Sequence, residues 1–268
     1  MLADFEKLKK TEKFLGDEEA IKKELYDSLG NAVAELVSGS EEIPIAFSGG
    51  IDSSIIAHLA SKYAKPVLFC VGFENSHDVG LSQKSAKALG LNLEIIYLDN
   101  LDLKKYLHKT VEILGTEDKL ITDLNVPLFI ILKELKKQKY KNFLFGQGAD
   151  TLFGGFAKYV YTKSLEDDMF GDIKNIHITN LQYNFKVCDY FGVKPLLPFL
   201  EKEVVELVIK ISPELKIKNN VQKYILRETF RKYLPKEIVE QNKKSFQYGS
   251  GVHKALKKLK VQTQTCTE

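Results

Sequence analysis

A buried-strand pattern that runs directly into a glycine turn is the feature that most constrains how this 268-residue chain can fold. Residues 43–47 read Ile-Pro-Ile-Ala-Phe, and a helix pattern opens soon after the turn. Glycines let successive backbone N–H groups face an anion, and the helix N-terminus adds the positive end of its dipole. The junction therefore predicts a phosphate-binding loop. Its predicted members are Phe47, Ser48, Gly49, Gly50, Ser53 and Ser54.

Asp52 is the unexpected residue of this loop. A carboxylate repels phosphate oxygens unless a divalent cation lies between them, so Asp52 is predicted to be a magnesium ligand. The loop is not of the Walker type, because the chain contains no glycine followed by four residues and Gly-Lys-Ser/Thr. The simpler alternative is a strand-to-helix turn with a serine cap.

Strand and helix patterns alternate along the first half of the chain, after an amphipathic helix that ends near Gly39. This alternation predicts an α/β fold, a parallel sheet with helices on both faces and right-handed crossovers. A helical C-terminal part is predicted to follow. The predicted strands are 43–47, 67–72, 93–98 and 142–145, and the predicted helices are 53–63, 78–89, 102–114 and 125–139.

We expect one unit over 1–268, with N-terminal helices in 1–40, the core in 41–160 and the helical part in 161–268. Ligands of open parallel sheets bind beyond the carboxyl ends of the strands. The loop after the fourth predicted strand begins Gly146, Gln147 and Gly148, which are predicted to contact the nucleotide, and it is rich in glycine, with Asp150 at its centre. Asp150 is predicted to face the first loop and to supply a second magnesium ligand. The alternative is a glycine turn that Asp150 caps.

Composition limits the class of protein. The formal charge of +3 is too small to indicate nucleic-acid binding, and the lysines of 136–141 are typical of a solvated helix end. Cys70, Cys188 and Cys266 lie far apart and predict neither disulfides nor a zinc site. We expect a cytoplasmic protein that does not enter the membrane, since the start lacks a signal-peptide pattern and no run of about eighteen apolar residues occurs.

Several collinear segments resemble one family. Ser-Gly-Gly-x-Asp-Ser after a strand is similar to the loop of ATP pyrophosphatases, which have the adenine nucleotide alpha hydrolase-like fold. Residues 145–156, Phe-Gly-Gln-Gly-Ala-Asp-Thr-Leu-Phe-Gly-Gly-Phe, resemble the second loop of asparagine synthetases. The likeness runs from about residue 28 to residue 251. It includes residues 71–74, 194–201, 223–228, 234–238 and 241–246.

The resemblance implies ATP and Mg²⁺ as cofactors, with main-chain groups of Val71 and Gly72 at the adenine. Lys243 matches the family lysine, and a fixed ammonium there would stabilise charge on the breaking bond between the α- and β-phosphates. Its neighbour Lys244 is the alternative. Lys223 and Arg227 lie four residues apart on one predicted helical face and are expected to hold the closing helix or the nucleotide.

The chain departs from the family at two acidic positions, which are Gln147 and Thr151 here. An amide cannot take a proton, so Gln147 puts ordinary asparagine formation in doubt while leaving ATP cleavage intact. We also expect a protein without the amino-terminal cysteine of the family's glutaminase domain, because the sequence begins Met1-Leu2. Nitrogen is therefore expected from ammonia, an amine substrate or a separate glutaminase subunit.

The resemblance implies a ligase that adenylates an aspartate-like carboxylate, releases pyrophosphate and then forms an amide. Self-association and the identity of both substrates stay open. The alternatives are an NAD synthetase-like, β-lactam-forming or tRNA-modifying enzyme of the same fold, or an ATP-binding regulatory subunit that has lost its chemistry.

Overall fold

A five-stranded parallel sheet forms the centre of the computed structural model, which describes residues 17–99, 101–241 and 251–257. The strand order is β3-β2-β1-β4-β5, and every neighbouring pair is parallel. The predicted fold class is confirmed. The strands are β1 Glu42–Ala46, β2 Lys65–Gly72, β3 Asn92–Tyr97, β4 Asn142–Leu144 and β5 Lys194–Leu196.

Helices connect and cover these strands. Those of the first half are α1 Glu18–Leu36, α2 Ile51–Ala60, α3 His77–Leu89, α4 Leu103–Leu114 and α5 Lys119–Lys137. Those of the second half are α6 Ala149–Leu152, α7 Lys158–Tyr161, α8 Leu165–Asn175, α9 Gln182–Phe191, α10 Lys202–Lys210, α11 Pro213–Lys216, α12 Tyr224–Phe230 and α13 Lys236–Val239. A π-helical turn His177–Leu181, a 3₁₀ turn Pro198–Leu200 and a small antiparallel pair, β6 Ile217–Lys218 with β7 Val221–Gln222, complete the described elements.

Side-chain caps fix the starts of several helices. Asp17 accepts from Ala20 N at α1, and Asp118 accepts from Ile121 N at α5, at 2.8 and 2.9 Å. The cap at Asp118 explains why α5 begins at Lys119, where the sequence pattern had predicted a start at residue 125. Pro127 lies inside this helix.

The predicted helical C-terminal part also contains a strand that the sequence pattern does not predict. β5 pairs with β4, and Pro195 lies opposite Phe143. A strand of three residues gives almost no periodic pattern, and its proline is tolerated because β5 is an edge strand. The segment 161–268 therefore contributes to the sheet as well as to the helices that pack around it.

Alternate residues of β2 enter two hydrophobic cores, because successive strand side chains point to opposite faces of the sheet. Leu68 joins the core that contains residues of α1, α2, α10 and α12. Phe69 and Val71 join the core that contains residues of α4, α5 and α9. Both faces of the sheet are thus covered. Among the described helices, none is both long and apolar enough to cross a membrane.

The topology defines where a ligand can bind. From β1 the chain builds β2 and β3 on one side, and it then returns to add β4 on the other side of β1. In open parallel sheets the crevice at such a reversal, beyond the carboxyl ends of the strands, is the usual ligand site. The loops after β1 and β4 lie at this crevice.

Candidate functional site

The loop after β1 is held tightly against α3. Gly49 has φ +71°, and a Cβ on it would lie 2.7 Å from the backbone nitrogen of Ser82. Its carbonyl oxygen accepts from Ser85 Oγ at 2.8 Å and from Gln241 Nε2 at 2.7 Å. Only glycine fits this position, and the curl of the loop is fixed from two sides.

The N-terminus of α2 has no side-chain cap. Gly50 is the N-cap residue, whereas α1 and α5 are capped by aspartates. Ser53 Oγ donates back to the Gly50 carbonyl at 3.1 Å and lies 3.4 Å from Ser48 Oγ. The serine-cap alternative therefore does not describe this turn, and the first N–H groups of α2 can serve an anion. Ser54 is fully buried, so its side chain does not line an open face.

The loop after β4 meets the loop after β1, as predicted. A Cβ on Gly146 would lie 3.5 Å from Asp52 Cβ and 3.8 Å from Ser53 N. Gly148 has φ +94° and packs so closely on Leu200 that a Cβ would approach its side chain to 2.5 Å. These glycines allow two backbones to come together at the crevice.

Lys223 joins the two predicted acidic residues. Its Nζ lies 2.6 Å from Asp52 Oδ2 and 2.5 Å from Asp150 Oδ1. The Lys223 and Asp52 side chains are 5% and 6% exposed, whereas Asp150 is 41% exposed and faces the open side. The ammonium thus fixes the spacing of two carboxylates whose residues are 98 positions apart in the chain.

Electrostatics and packing both support the triad of Asp52, Lys223 and Asp150. Burial alone would lower the pKa of Lys223, but the charges of Asp150 and Asp52 and hydrogen bonds to both raise it above its ordinary value. A Cβ on Gly155 would lie 2.1 Å from Asp150 Oδ1 and 2.4 Å from Lys223 Cε. The second glycine loop therefore leaves room for the ion pairs.

The residues present fit a divalent cation. Asp52 and Asp150 are hard oxygen donors that both contact the Lys223 ammonium, and with one ammonium against two carboxylates the triad keeps a net negative charge that suits a divalent cation. The exposed side of Asp150 can meet a ligand that enters the crevice. The assignment of both aspartates as metal ligands stays a prediction.

Arg227 makes hydrogen bonds that stabilise the fold. Its Nε donates to the Gln222 carbonyl at 2.9 Å, and Nη1 donates to the Val239 carbonyl. Burial lowers the pKa of this guanidinium from its ordinary value. Arg227 thus holds the turn that precedes α12 against the end of α13, while Lys223 alone of the two reaches the acidic loops.

Val71 and Gly72 end β2, next to the loop after β1. Gly72 accepts from Leu98 N at 3.1 Å, and Asp99 accepts from Glu74 N at 2.9 Å, which ties the loops after β2 and β3 together. Gly251 packs on Phe73, where a Cβ would lie 3.0 Å from the ring. The predicted adenine site therefore lies beside the loop after β1.

Lys243 and Lys244 lie outside the described residues. Gln241, two positions before Lys243, contacts the Gly49 carbonyl oxygen. Gln241 opens the family-like segment 241–246 but has no predicted role there, and Ser85 is not among the predicted site residues. Both side chains donate to the backbone carbonyl oxygen of Gly49, and such a contact leaves no pattern in the sequence.

Two further polar groups lie near α5, and Gln147 is their one member among the predicted site residues. Asp123, which is buried, accepts from His253 Nδ1 at 2.5 Å. Gln147, Asn184 and Asn125 form a chain of side-chain amides. The one available signal was the occurrence of Asp123 and Asn125 within an otherwise apolar helix pattern.

A glycine loop at the switch point of a parallel sheet, with an uncapped helix N-terminus and two converging carboxylates, defines the fold as that of the ATP pyrophosphatases. The chain belongs to the asparagine synthase family, whose model matches residues 24–187 and 161–264. Family membership and sheet topology thus agree.

Two curated relatives are named as asparagine synthetases. The chain is 31% identical over 279 residues to a protein named as a glutamine-hydrolysing asparagine synthetase of Methanocaldococcus jannaschii, covering 90% of this chain and 52% of the relative. It is 28% identical to asparagine synthetase B of Escherichia coli, covering 86% of this chain and 45% of that protein. The chain therefore spans about half the length of these relatives.

Among solved structures, NMN synthetase from Francisella tularensis is similar with 14% identity and a TM-score of 0.37, covering 91% of this chain and 94% of that one. At that TM-score the likeness adds nothing to the family assignment.

Proposed function

We propose that this chain binds magnesium-ATP in the crevice between β1 and β4, transfers AMP to a small carboxylate with release of pyrophosphate, and then forms an amide with ammonia or an amine. The observation that carries the proposal is the convergence of Asp52 and Asp150 on Lys223 beside an uncapped helix N-terminus. Such a site combines anion binding with a place for a cation.

The phosphate chain of ATP would lie on the loop after β1. Backbone N–H groups of Gly49, Gly50 and the first turn of α2, with the Ser48 hydroxyl, would donate to its oxygens. The adenine would lie at the end of β2, against Val71 and Gly72. The carboxylates of Asp52 and Asp150 would hold magnesium, which when bound neutralises phosphate charge.

Lys223 would act as a positioning residue. Its ammonium sets the distance between the two carboxylates and is itself buried, so it is poorly placed to follow a leaving group. Charge that develops on the departing pyrophosphate needs a cation of its own. We assign that role to Lys243, and the contact of Gln241 with Gly49 supports it because two residues span at most about 7 Å.

Adenylation gives the carboxylate a good leaving group, since expulsion of AMP replaces expulsion of oxide. A nitrogen nucleophile held beside the acyl-adenylate then completes the amide. We propose that this nitrogen comes from ammonia, from an amine substrate or from a glutaminase partner, as in a glutamine-hydrolysing assembly.

Pyrophosphate release with ATP, magnesium and a panel of small carboxylates, aspartate among them, tests the proposal. We expect Asp52→Asn and Asp150→Asn each to abolish release, because each removes a metal-binding charge. Asp189→Asn, an exposed position on α9, is the matched control and should keep full activity. Full activity of Asp150→Asn would contradict the metal assignment.

A regulatory ATP-binding subunit is the second candidate. Gln147 and Thr151 are neutral where the family resemblance implies acids, and this favours lost chemistry over lost binding. Measurable ATP binding by calorimetry, without pyrophosphate release for any carboxylate, would support this candidate against the ligase.

A further inference from the structure

Three side-chain amides form a continuous chain between α5 and the glycine loop after β4. Gln147 Nε2 donates to Asn184 Oδ1 at 2.9 Å, and Asn184 Nδ2 donates to Asn125 Oδ1 at 2.9 Å. Asn125 Nδ2 donates in turn to the carbonyl oxygen of Ile121 at 2.8 Å. The chain thus ends on a backbone atom of α5.

The backbone carbonyl gives the chain a single direction. Side-chain amides can be placed either way round, but a carbonyl oxygen can only accept. Asn125 must therefore turn its NH₂ to Ile121 and its oxygen to Asn184, and Asn184 must then turn its oxygen to Gln147. The NH₂ of Gln147 is committed to Asn184, and Oε1 is the acceptor left at the other end.

Because Asn125 and Asn184 are buried, reversing the direction of the amide chain would cost free energy. Asn125 is 2% exposed and Asn184 is 4% exposed, and a reversed amide at either position would face oxygen with oxygen away from water. Gln147 itself is only partly buried. No donor in the described part of the chain bonds to its Oε1.

The open end of the chain lies at the ligand crevice. Gln147 follows Gly146, which packs on Asp52 and Ser53. α5 precedes β4 directly and so runs antiparallel to the strands, which places Ile121 and Asn125 at the carboxyl edge of the sheet. The amide chain thus borders the triad of Asp52, Lys223 and Asp150 on the side of α5 and α9.

We propose that Gln147 Oε1 accepts a hydrogen bond from the N–H of the nitrogen nucleophile, and that Asn184 and Asn125 are positioning residues that set this orientation. The inference rests on the proposed function. It identifies the second substrate as a neutral ammonia or amine group, because an amide oxygen orients an N–H donor without removing its proton.

In this step the nitrogen lone pair forms the bond to the acyl carbon, and the bond from that carbon to the AMP phosphate oxygen breaks, with its electron pair leaving on AMP. The surplus proton on nitrogen passes to water. Gln147 gains and loses no proton, so its contribution is one oriented hydrogen bond to the attacking nitrogen.

Hydroxylamine as the amine probe, with the carboxylate that best supports ATP–pyrophosphate exchange, tests the inference. We expect Asn184→Leu and Gln147→Met each to raise the KM for hydroxylamine about 3- to 10-fold, as one neutral hydrogen bond implies, while exchange in Asn184→Leu keeps its rate. The double variant should be no worse than Gln147→Met alone, since Asn184 acts through Gln147. Val187→Ala, which removes packing from the same helix, is the control and should leave this KM unchanged.

Gln147→Glu is the discriminating variant. A carboxylate cannot donate to Asn184, so it would face the Asn184 oxygen, and we expect a higher KM for hydroxylamine. A lower KM in this variant, or multiplicative effects in the double variant, would overturn the inference. Absence of ATP–pyrophosphate exchange in the unmodified protein would instead refute the proposed function.

A measurement that needs no catalytic turnover tests the amide chain even if the protein shows no ATP–pyrophosphate exchange. In the ¹⁵N spectrum of the full chain, the Asn184 side-chain NH₂ should exchange slowly with solvent, and it should exchange faster in Gln147→Met. Equal exchange in both proteins would also overturn the inference.

Discussion

Lys223 shows how one residue can join two loops that lie far from it in the sequence. It has a left-handed backbone conformation, φ +57°, directly before α12, and its ammonium crosses to residues 171 and 73 positions earlier. Asp52 and Asp150 could be predicted, because each is an acidic residue in a glycine loop at a strand end. The bridge between them could not, since it depends on a long-range contact.

We expect Lys223→Met to destabilise the protein by about 3 kcal/mol, because it leaves two carboxylates together without their cation. Urea unfolding measures the loss. Lys218→Met, at a lysine whose ion pair with Glu18 is 41% exposed on the lysine side, should cost much less. Equal stability of Lys223→Met and the unmodified protein would contradict the importance of the triad.

The difference in unfolding free energy between Lys223→Met and the unmodified protein should depend on pH. The pKa of Lys223 is raised in the folded protein, so its contribution is fully present below the ordinary value of 10.5 and is lost only as pH rises through the higher folded value. The difference in unfolding free energy should therefore stay constant from about pH 7 to pH 10. A decline near neutral pH would show that the ammonium is not held as described.

Gly155→Ala should abolish pyrophosphate release, because the new methyl group would overlap Asp150 Oδ1 and Lys223 Cε. Gly171→Ala is the matched control. That glycine lies inside α8 with no neighbouring atom within 4 Å, so the substitution should stabilise the protein by about 0.5–1 kcal/mol. Activity and urea unfolding of both variants provide the check, and an active Gly155→Ala would count against the triad.

At the scale of elements, strong patterns were predicted well and short ones were missed. The strand predicted at 43–47 is Glu42–Ala46, and the helix predicted at 78–89 is His77–Leu89. Both have long buried faces or clear ends. β5 was missed because three residues with a proline carry too little periodicity, and it is specified by pairing with β4 instead.

The described segment 251–257 is joined to α5 by the pair of His253 and Asp123, and Val252 and Leu256 anchor it in the core that contains residues of α4, α5 and α9. We expect His253→Ala to speed backbone hydrogen exchange of this segment about tenfold, as loss of a buried hydrogen bond to a carboxylate implies. Mass spectrometry of exchanged peptides measures it. Lys254→Ala, at an exposed neighbour, should leave exchange unchanged, and the prediction fails if both variants behave alike.

At the scale of the whole molecule, two cores share one sheet and should unfold together. Burial raises the pKa of Cys70, on β2, to about 12, and it raises the pKa of Cys188, in the core that contains residues of α4, α5 and α9, to about 12. At pH 8 only about one in ten thousand of either thiol would be the reactive thiolate.

We therefore expect neither Cys70 nor Cys188 to be alkylated in the folded protein, and both to become reactive at the same urea concentration. Peptide mass spectrometry after a pulse of iodoacetamide gives the two transitions separately. Labelling of Cys188 at lower urea than Cys70 would show that one face of the sheet opens first.

The return of the chain to β4 and then to β5 has a consequence for synthesis on the ribosome. A nascent polypeptide that has emerged through residue 160 already carries both acidic loops, yet the ammonium that reconciles their charges is encoded some sixty codons later. The nucleotide affinity proposed above should consequently arise late in translation, after Lys223 has been added to the chain.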